Sequence, residues 1–498
     1  MSILDNRASG VLMHISSLPG NTGIGTLGKY AYQFVDYLKK YGQTYWQMLP
    51  ICPTSYGDSP YQSFSTFAGN PYFIDFEKLE AEGLLAHDDW ANVNWGNNKN
   101  YVDYGLLYVE RHKVFAKLQE NFNKNIPADF EKYCSDNSFW LEDYALFMAI
   151  KDAHNGASFS TWESDIKVRQ PGAVVNWSER CAKRVQYYKI LQYLFYKQWY
   201  ELKKYANDNG IKIIGDIPIY VAADSSDVWT NPKQFALKGD LTPIEVAGCP
   251  PDAFSADGQL WGNPVYDWEY HKQTNYAWWK KRISECLKIY DVIRIDHFRG
   301  FDEYYCIPFG SENAKIGQWR KGPGAHLFNE IRKEFGDINI IAEDLGFLTP
   351  TVIQMLKDVG FPGMKVLQFA FDSREESDYI PHRYGHNSVV YTGTHDNDTI
   401  LGWCKSAGAD DVAFAKKYLR AESDDELRQE MMISALSCVA NTCILCMQDL
   451  IGLDGSARMN IPSTVGNNWK WRASEDQITD KQFEFLGYYT RLFGRADR

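Results

Sequence analysis

Four carboxylic acids of this chain stand directly after short apolar runs, where strands of a buried sheet would end. They are Asp216, Asp296, Glu343 and Asp396. Burying a carboxylate beside a hydrophobic core costs free energy unless the group is paired or used in chemistry. Because the carboxyl ends of parallel strands meet at one edge, four such acids indicate an active site rather than a set of surface loops.

The spacing of Arg294, Asp296 and Glu343 favours two different chemical roles for the two carboxyls. Arg294 and Asp296 are two residues apart on one strand, so they share a face. A guanidinium lowers a neighbouring carboxyl pKa by ~1–3 units, which would keep Asp296 ionised as a nucleophile, although a structural ion pair gives the same spacing. Glu343 follows Ile340-Ile341-Ala342, and burial would keep it protonated as a general acid. Such a pair, about 5–5.5 Å apart, performs retaining glycoside cleavage.

His395 and Asp396 add a hydrogen-bond donor and a third acid that could hold adjacent sugar hydroxyls. Acids and histidines at strand ends also suit divalent cations, so a metal-dependent enzyme stays an alternative. The sequence has no His-Glu-x-x-His and no zinc-type pairing of ligands, and Cys443-x-x-Cys446 lies in an apolar run typical of buried thiols. We therefore predict no metal and no cofactor.

Composition limits the remaining function classes. The net charge is −12 without a basic cluster, so we do not expect nucleic acid as a partner. The N-terminus lacks the pattern of a signal peptide and no run of 18 apolar residues occurs, so we expect no membrane span. Ten cysteines without a secretion signal favour reduced thiols and a cytoplasmic location. Aromatic residues make up 15%, which suits either sugar stacking or a large aromatic core.

Eight short runs rich in Val, Ile, Tyr and Phe predict the strands that would carry these acids. Most are continuously apolar, which is typical of strands buried on both faces of a parallel sheet. The runs are Gly10–Ser16, Thr44–Ile51, Ile211–Val221, Val292–Phe298, Ile338–Leu345, Met364–Phe371, Ser388–Thr394 and Thr442–Gln448. Helical patterns fall between them and several end at a glycine, as at Tyr30–Tyr41 and Ala325–Phe335.

Eight strand-then-helix units predict an α/β protein with a (β/α)8 barrel, and an open doubly wound sheet is the alternative. We expect residues 1–498 to form a single catalytic barrel. Two long connections leave the carboxyl ends of strands. The predicted insertions are a mostly helical subdomain at 55–184, between strands 2 and 3, and a smaller lid at 224–276, between strands 3 and 4.

Specific motifs at these positions resemble those of the amylomaltases, the 4-α-glucanotransferases of glycoside hydrolase family 77. The similarity runs from about Ser9 to Arg472, with the motifs in the family's order. They are Ile15-Ser16-Ser17-Leu18-Pro19, Ser59-Pro60-Tyr61, Gly215-Asp216-Ile217-Pro218, Arg294-Ile295-Asp296-His297-Phe298-Arg299-Gly300, Ala342-Glu343-Asp344-Leu345-Gly346 and Gly393-Thr394-His395-Asp396-Asn397.

The resemblance implies a role for each of these side chains. Asp296 would be the nucleophile, Glu343 the acid/base and Asp396 the stabiliser of the transition state. The implied substrate-binding residues are Ser59, Tyr61 as an aromatic platform, Asp216, Trp261 in a lid segment that holds the acceptor, Arg294 and His395. Many α-amylases place an Asn-His pair after the third strand, and its absence here favours the transferase branch and weakens any expectation of structural calcium.

The implied activity is transfer of an α-1,4-glucan segment to the 4-hydroxyl of an acceptor, with maltooligosaccharides as donor and acceptor. A retaining α-glucan hydrolase would share the same acids, so it stays the nearest alternative. A catalytically inactive glucan-binding protein is disfavoured because all the acids are present. Chain-length preference, cyclic products and oligomeric state are left open by the sequence.

Overall fold

The computed structural model describes residues 3–251, 256–346 and 348–497. Within these ranges it has twelve β-strands, β1 to β12 in chain order. They span Ala8–Leu12, Tyr45–Gln47, Lys212–Pro218, Glu245–Cys249, Gln259–Pro264, Val292–Asp296, Glu303–Pro308, Gln318–Lys321, Ile340–Ala342, Gly363–Val366, Ser388–Tyr391 and Thr442–Cys446.

The same ranges contain eighteen α-helices, α1 to α18, several with the side-chain or glycine caps that favour a helix end. They span Lys29–Lys40, Phe76–Ala81, Tyr104–Phe122, Phe130–Asp136, Ser138–Ala153, Ser164–Lys167, Pro171–Arg180, Ala182–Asp208, Ser226–Thr230, Trp268–Gln273, Ala277–Ile289, Ala325–Phe335, Pro350–Val359, Ile400–Ser406, Ala409–Leu419, Asp424–Ser437, Met447–Ile451 and Asp480–Leu492.

Eight strands form one parallel sheet in the order β10-β11-β12-β1-β2-β3-β6-β9. The two end strands also meet, because the Ala342 amide donates to the Pro362 carbonyl at 3.0 Å. The predicted (β/α)8 barrel is therefore confirmed, and each of the eight barrel strands overlaps its predicted run. The first differs most, since β1 begins at Ala8 and Ile15–Ser17 is a 3-10 turn.

Asp344 completes the closure between β9 and β10. Its buried carboxylate accepts the Met364 amide at 2.6 Å, so a side chain supplies an acceptor that the short strand β9 lacks. A Cβ atom at Gly363 would lie 2.3 Å from the same carboxylate, which explains the glycine there. Of two adjacent acids after β9, one is thus committed to the barrel wall and the other, Glu343, is available to the cleft.

The stretch from 55 to 184 holds helices α2 to α7, and α8 begins at its end and continues for 27 residues to the start of β3. A partly buried ion pair links this region to the barrel, because Lys151 Nζ of α5 lies 2.5 Å from the carboxylate of Asp224, in the connection after β3. The same carboxylate accepts the Phe159 amide at 3.1 Å. The helices are therefore anchored to the carboxyl-terminal rim.

A second, antiparallel sheet, which we call the rim sheet, has the strand order β5-β4-β7-β8. Strands β4 and β5 come from the predicted lid, whereas β7 and β8 follow β6 in a stretch to which the sequence analysis assigned no element. Strand β8 is a short, exposed edge strand of polar type, Gln-Trp-Arg-Lys, and therefore lacks the apolar pattern of the barrel strands.

Candidate active site

A buried ion network joins the ends of the neighbouring strands β3 and β6. Asp216 pairs in register with Arg294, whose Nη1 lies 2.5 Å from Asp216 Oδ2 and 3.2 Å from Asp296 Oδ1. The side chains of Asp216 and Arg294 are 0% and 3% exposed, while that of Asp296 is 30% exposed. One guanidinium therefore serves a structural acid in the wall and an accessible acid facing the cleft.

The pKa of Asp296 is raised well above its ordinary value by burial, against the opposing effect of the Arg294 guanidinium and with a further contribution from nearby Glu343. The expectation that Arg294 would set this pKa below the ordinary value was wrong in net direction. Desolvation and the clustering of carboxylates outweigh one cation that is already shared with Asp216. Arg294 still moderates the shift, because it contacts Asp296 directly.

Glu343 is held next to Asp296 by continuation of the β6–β9 ladder. The Glu343 amide donates to the Ile295 carbonyl at 3.1 Å, and the Phe298 amide donates to the Glu343 carbonyl at 3.0 Å. The carboxyl oxygens accept the backbone amides of His297 at 2.7 Å and Leu345 at 2.9 Å. His297 has a φ of 53°, in the left-handed region that non-glycine residues rarely adopt. This conformation occurs in the turn from which the His297 amide donates to the Glu343 carboxyl.

The pKa of Glu343 is raised by burial, in the direction that the sequence predicted. The Arg294 guanidinium opposes this effect of burial on the pKa of Glu343, as it does on the pKa of Asp296, which it contacts directly. Two neighbouring carboxyls in different surroundings, one beside a cation and one fixed by backbone amides, can act as a nucleophile and a general acid.

Asp396 and His395 follow β11 and are fixed from outside that strand. Asn460 Nδ2 donates to Asp396 Oδ1 at 2.6 Å, and the Arg458 guanidinium donates to the Asp396 carbonyl at 2.6 Å. Burial lowers the pKa of His395, so its imidazole is neutral near pH 7 and lies 3.4 Å from the Asp396 carboxylate. Sequence reasoning missed Asn460 and Arg458, which lie in an irregular segment without an apolar run beside them.

Tyr61 forms one wall of the site. Its hydroxyl donates to Asp216 Oδ2 at 2.8 Å, and its ring stacks on His395 with centroids 5.0 Å apart and planes at 16°. Trp469 packs beside both rings, with centroids 5.6 Å from Tyr61. Ser59 has a supporting position, since its hydroxyl oxygen accepts the Tyr61 amide at 3.2 Å.

Trp261 of β5 lies on the opposite flank, beside the turn that holds Glu343. Its ring meets His297 edge-on, with centroids 4.8 Å apart and planes at 84°, and its indole N–H donates to Gln259 Oε1 at 3.1 Å. The ring is half-buried. The structure therefore brings together the candidate residues from both rim insertions with those from the barrel strands.

Cys443 and Cys446 are buried free thiols of β12. Among the residues described, no three His, Cys, Asp or Glu side chains gather as a metal site would require. In the same part of the chain, no helix combines the length and apolar character that a bilayer span needs.

Comparison with known proteins gives consistent full-length matches. A family model described as 4-alpha-glucanotransferase matches residues 13–478. A 4-alpha-glucanotransferase of Clostridium butyricum is 50% identical over 487 residues, which cover 97% of this chain and 100% of that protein. One from Streptococcus pneumoniae is 48% identical over 498 residues, 99% of this chain and 98% of that protein. The solved amylomaltase from Streptococcus agalactiae in complex with acarbose superposes with a TM-score of 0.96 at 44% identity, covering 99% and 100% of the two chains.

Proposed function

The chain belongs to the 4-α-glucanotransferases of glycoside hydrolase family 77, and we propose that Asp296, Glu343 and Asp396 carry out its reaction. The enzyme transfers a segment of an α-1,4-glucan to an acceptor by a retaining double displacement. The observation that carries the residue assignment is the pair of neighbouring strand ends, where Asp296 contacts Arg294 and Glu343 is fixed by two backbone amides.

In the first step, Asp296 attacks the anomeric carbon of the donor while Glu343 gives its proton to the departing glycosidic oxygen. The bond from Asp296 to carbon forms as the bond to the leaving oxygen breaks. The product is a β-glycosyl-enzyme ester and a shortened glucan. The step needs a charged Asp296 and a protonated Glu343 at its start. Contact with the Arg294 cation favours the charged form of Asp296, and burial of Glu343 favours its protonated form.

In the second step, Glu343 is a carboxylate and takes the proton of an incoming 4-hydroxyl as that oxygen attacks the ester. Asp296 leaves as a carboxylate, and the α-linkage is restored. Asp396, held by Asn460, and the neutral His395 would bind hydroxyls of the same sugar and strengthen those bonds in the transition state. Asp216 stays within the wall and orients Tyr61 and Arg294.

We propose maltooligosaccharides as donors and acceptors, with Tyr61 and Trp261 as aromatic surfaces on two sides of the cleft. The regions 55–184 and 224–276 would act as a helical subdomain and a lid that exclude water while an acceptor binds. The free buried thiols at Cys286, Cys306, Cys438, Cys443 and Cys446 support a reducing, cytoplasmic setting.

The test is incubation of the purified enzyme with maltotriose, with glucan lengths and total reducing ends followed together. Transfer gives shorter and longer products at constant reducing ends, whereas a hydrolase would raise the reducing ends without longer products. The Asp296→Asn variant is expected to lose transfer by a factor on the order of 10⁴ or more, because the ester can no longer form.

The matched control for that substitution is Asp302→Asn, in the same connection after β6. The Asp302 carboxylate contacts Thr351 Oγ1 at 2.6 Å and Lys321 Nζ at 4.0 Å, outside the network of Arg294. This variant should retain the maltotriose ladder. Equal losses in both variants would contradict the assignment of Asp296.

A further inference from the structure

A groove of about 640 Å³ opens outside the active-site cleft, beneath the rim sheet and above the start of α11 and α12. Four aromatic side chains, Tyr266, Trp268, Tyr276 and Tyr304, line it. This size and this mixture of aromatic and polar groups are typical of pockets for small organic ligands. No step of the transfer reaction described above uses any of these residues.

The aromatic wall of the groove is held in a fixed orientation. Trp268 packs against Tyr266 with ring centroids 4.9 Å apart and stacks on Trp279 at 6.3 Å with planes at 24°. Its ring is nevertheless only half-buried, so part of its surface is open to a ligand. On the opposite side, the Tyr276 hydroxyl and His326 Nδ1 form a hydrogen bond of 3.0 Å. The platform is therefore preorganised.

The charged groups of the lining cancel one another. Three acids and three cations contribute, namely Glu245, Asp267, Glu269, Lys272, Arg320 and Lys321. Arg320 lies 2.8 Å from Glu245, and the Arg320 side chain is 44% exposed. A lining that offers donors and acceptors without net charge suits a neutral polyhydroxylated ligand better than an anion or a cation.

A continuous row of rings connects this groove with the active site. Trp261, on the flank of the cleft, contacts Tyr220 at 6.3 Å between centroids, and Tyr220 stacks on Tyr266 at 6.0 Å with planes at 21°. Tyr266 in turn packs against Trp268. The same rim sheet thus covers the cleft at one end and the groove at the other.

We infer that the groove is a second α-glucan-binding site, in which glucose rings stack on Trp268 and hydrogen-bond to Arg320, Glu245 and Glu269. The inference rests on the proposed function, because it takes the ligand class from the reaction. A polymeric substrate would be bound at both sites of one molecule, and this raises its local concentration at the cleft. Short donors such as maltotriose would bind in the cleft only, so the groove would not raise their local concentration there.

The test is native electrophoresis through gels with increasing amylopectin content, in which bound protein is retarded. The parent is Asp296→Asn, which leaves the polymer intact, and the groove variants add Trp268→Ala or Arg320→Ala. We expect each groove variant to bind amylopectin about threefold or more weakly than the parent, as loss of an aromatic or polar sugar contact implies. The control adds Tyr488→Ala, a 62% exposed aromatic of α18, and should match the parent.

Two readouts separate failure of this inference from failure of the proposed function. If wild-type enzyme forms the maltotriose ladder but both groove variants are retarded like the parent, the second site is refuted alone. If the ladder is absent but groove variants still weaken retardation, the glucan site stands and the transferase assignment falls. Thermal unfolding checks each variant. Should Trp268→Ala not fold, the exposed Arg320→Ala decides the question.

Discussion

The strand ends of the barrel and the rim sheet contribute to one cleft by different means. At the strand ends, buried charges hold each other, as Arg294 does with Asp216 and Asp296. On the rim sheet, the contributing group is a half-buried ring, Trp261, positioned by contact with His297. From this difference we propose that bond making relies on the fixed, charged wall formed by the strand ends, whereas glucan exchange relies on aromatic surfaces that tolerate many chain positions.

Apart from Asp296→Asn, the largest effect is expected among the buried charges at the strand ends, for Glu343→Gln. Maltotriose transfer should fall by ~10²–10⁴-fold because the leaving sugar oxygen receives no proton. With α-maltotriosyl fluoride, whose leaving group needs little protonation, the variant should instead release a burst of fluoride and then stall. Mass spectrometry would detect the trapped glycosyl ester, since no base remains to activate an acceptor.

The same fluoride assay distinguishes the two carboxyls. Asp296→Asn should give neither the burst nor the adduct, because it lacks the attacking oxygen. If Glu343→Gln released fluoride as slowly as it transfers maltotriose, Glu343 would not be the acid.

The second prediction concerns the shared cation. Arg294→Met should reduce the free energy of unfolding at pH 7 by about 3–5 kcal/mol, because removal of one partner leaves buried carboxylates uncompensated. Protonation of Asp296 on acidification removes part of that charge, so the deficit should be smaller at pH 5 than at pH 7. Urea denaturation at both pH values measures it.

An exposed ion pair provides the matched comparison. Arg374 binds Asp372 with two hydrogen bonds of 2.8 and 2.7 Å, but the Arg374 side chain is 81% exposed. Arg374→Met should leave stability almost unchanged. Equal costs for both substitutions would mean that the Arg294 network contributes no more than a surface pair.

These effects bear on how much of the site a sequence can predict. The acids were found because each follows a continuous apolar run, and the barrel followed from eight such runs. Asn460 was not predicted as a site residue because no periodic pattern marks its segment. Strand β8 was not predicted because it is polar and exposed. The pKa of Asp296 was predicted in the wrong direction, since its spacing from Arg294 is local while the desolvating surroundings come from the whole fold.

Glu343 and Asp344 show the same limit at neighbouring positions. Both acids follow one apolar run, and periodicity alone does not say which faces the cleft. Only the packing of β9 against β10 shows that Asp344 accepts the Met364 amide and is used for closure. Glu343 was the predicted acid because it follows the apolar run directly, and the motif resemblance implies the same residue.

The third prediction concerns Asp449, which binds residues on both sides of the loop that carries His395 and Asp396. Its carboxylate accepts Thr392 Oγ1 at 2.9 Å and the Ile400 amide at 2.8 Å, and burial raises its pKa to about 6. The folded state therefore holds this proton more tightly than the unfolded state, whose value is about 3.8. Protonated Asp449 therefore makes its full contribution to the free energy of unfolding below the pKa of the unfolded state. This contribution is lost as pH rises from about 4 to about 6.

Asp449→Asn keeps a side-chain oxygen for Ile400 and removes the charge. Over that pH window, wild-type stability should fall by up to about 3 kcal/mol relative to the variant. Denaturant unfolding at pH 4 and pH 7 measures the difference between the two proteins. Parallel pH profiles would show that Asp449 does not titrate there.

The smallest effect is expected for Trp261 of the rim sheet. It tests most directly the contrast between the charged strand ends and the aromatic rim sheet. Trp261→Ala should reduce transfer to a glucose acceptor by about tenfold in kcat/KM, as loss of one stacking surface implies. Cleavage of the donor should change less, because the charged wall remains. Water would then intercept more of the ester, so reducing ends should rise during incubation with maltotriose.

Leu260 is the control for Trp261, since neighbouring strand residues face opposite sides of the sheet and Leu260 is 40% exposed. Leu260→Ala should keep the parent ratio of transfer to hydrolysis. If Trp261→Ala instead slowed donor cleavage as strongly as it slowed acceptor use, the ring would contribute to bond breaking itself. The separation between a charged wall for chemistry and aromatic surfaces for exchange would then be wrong, because one rim residue would serve both.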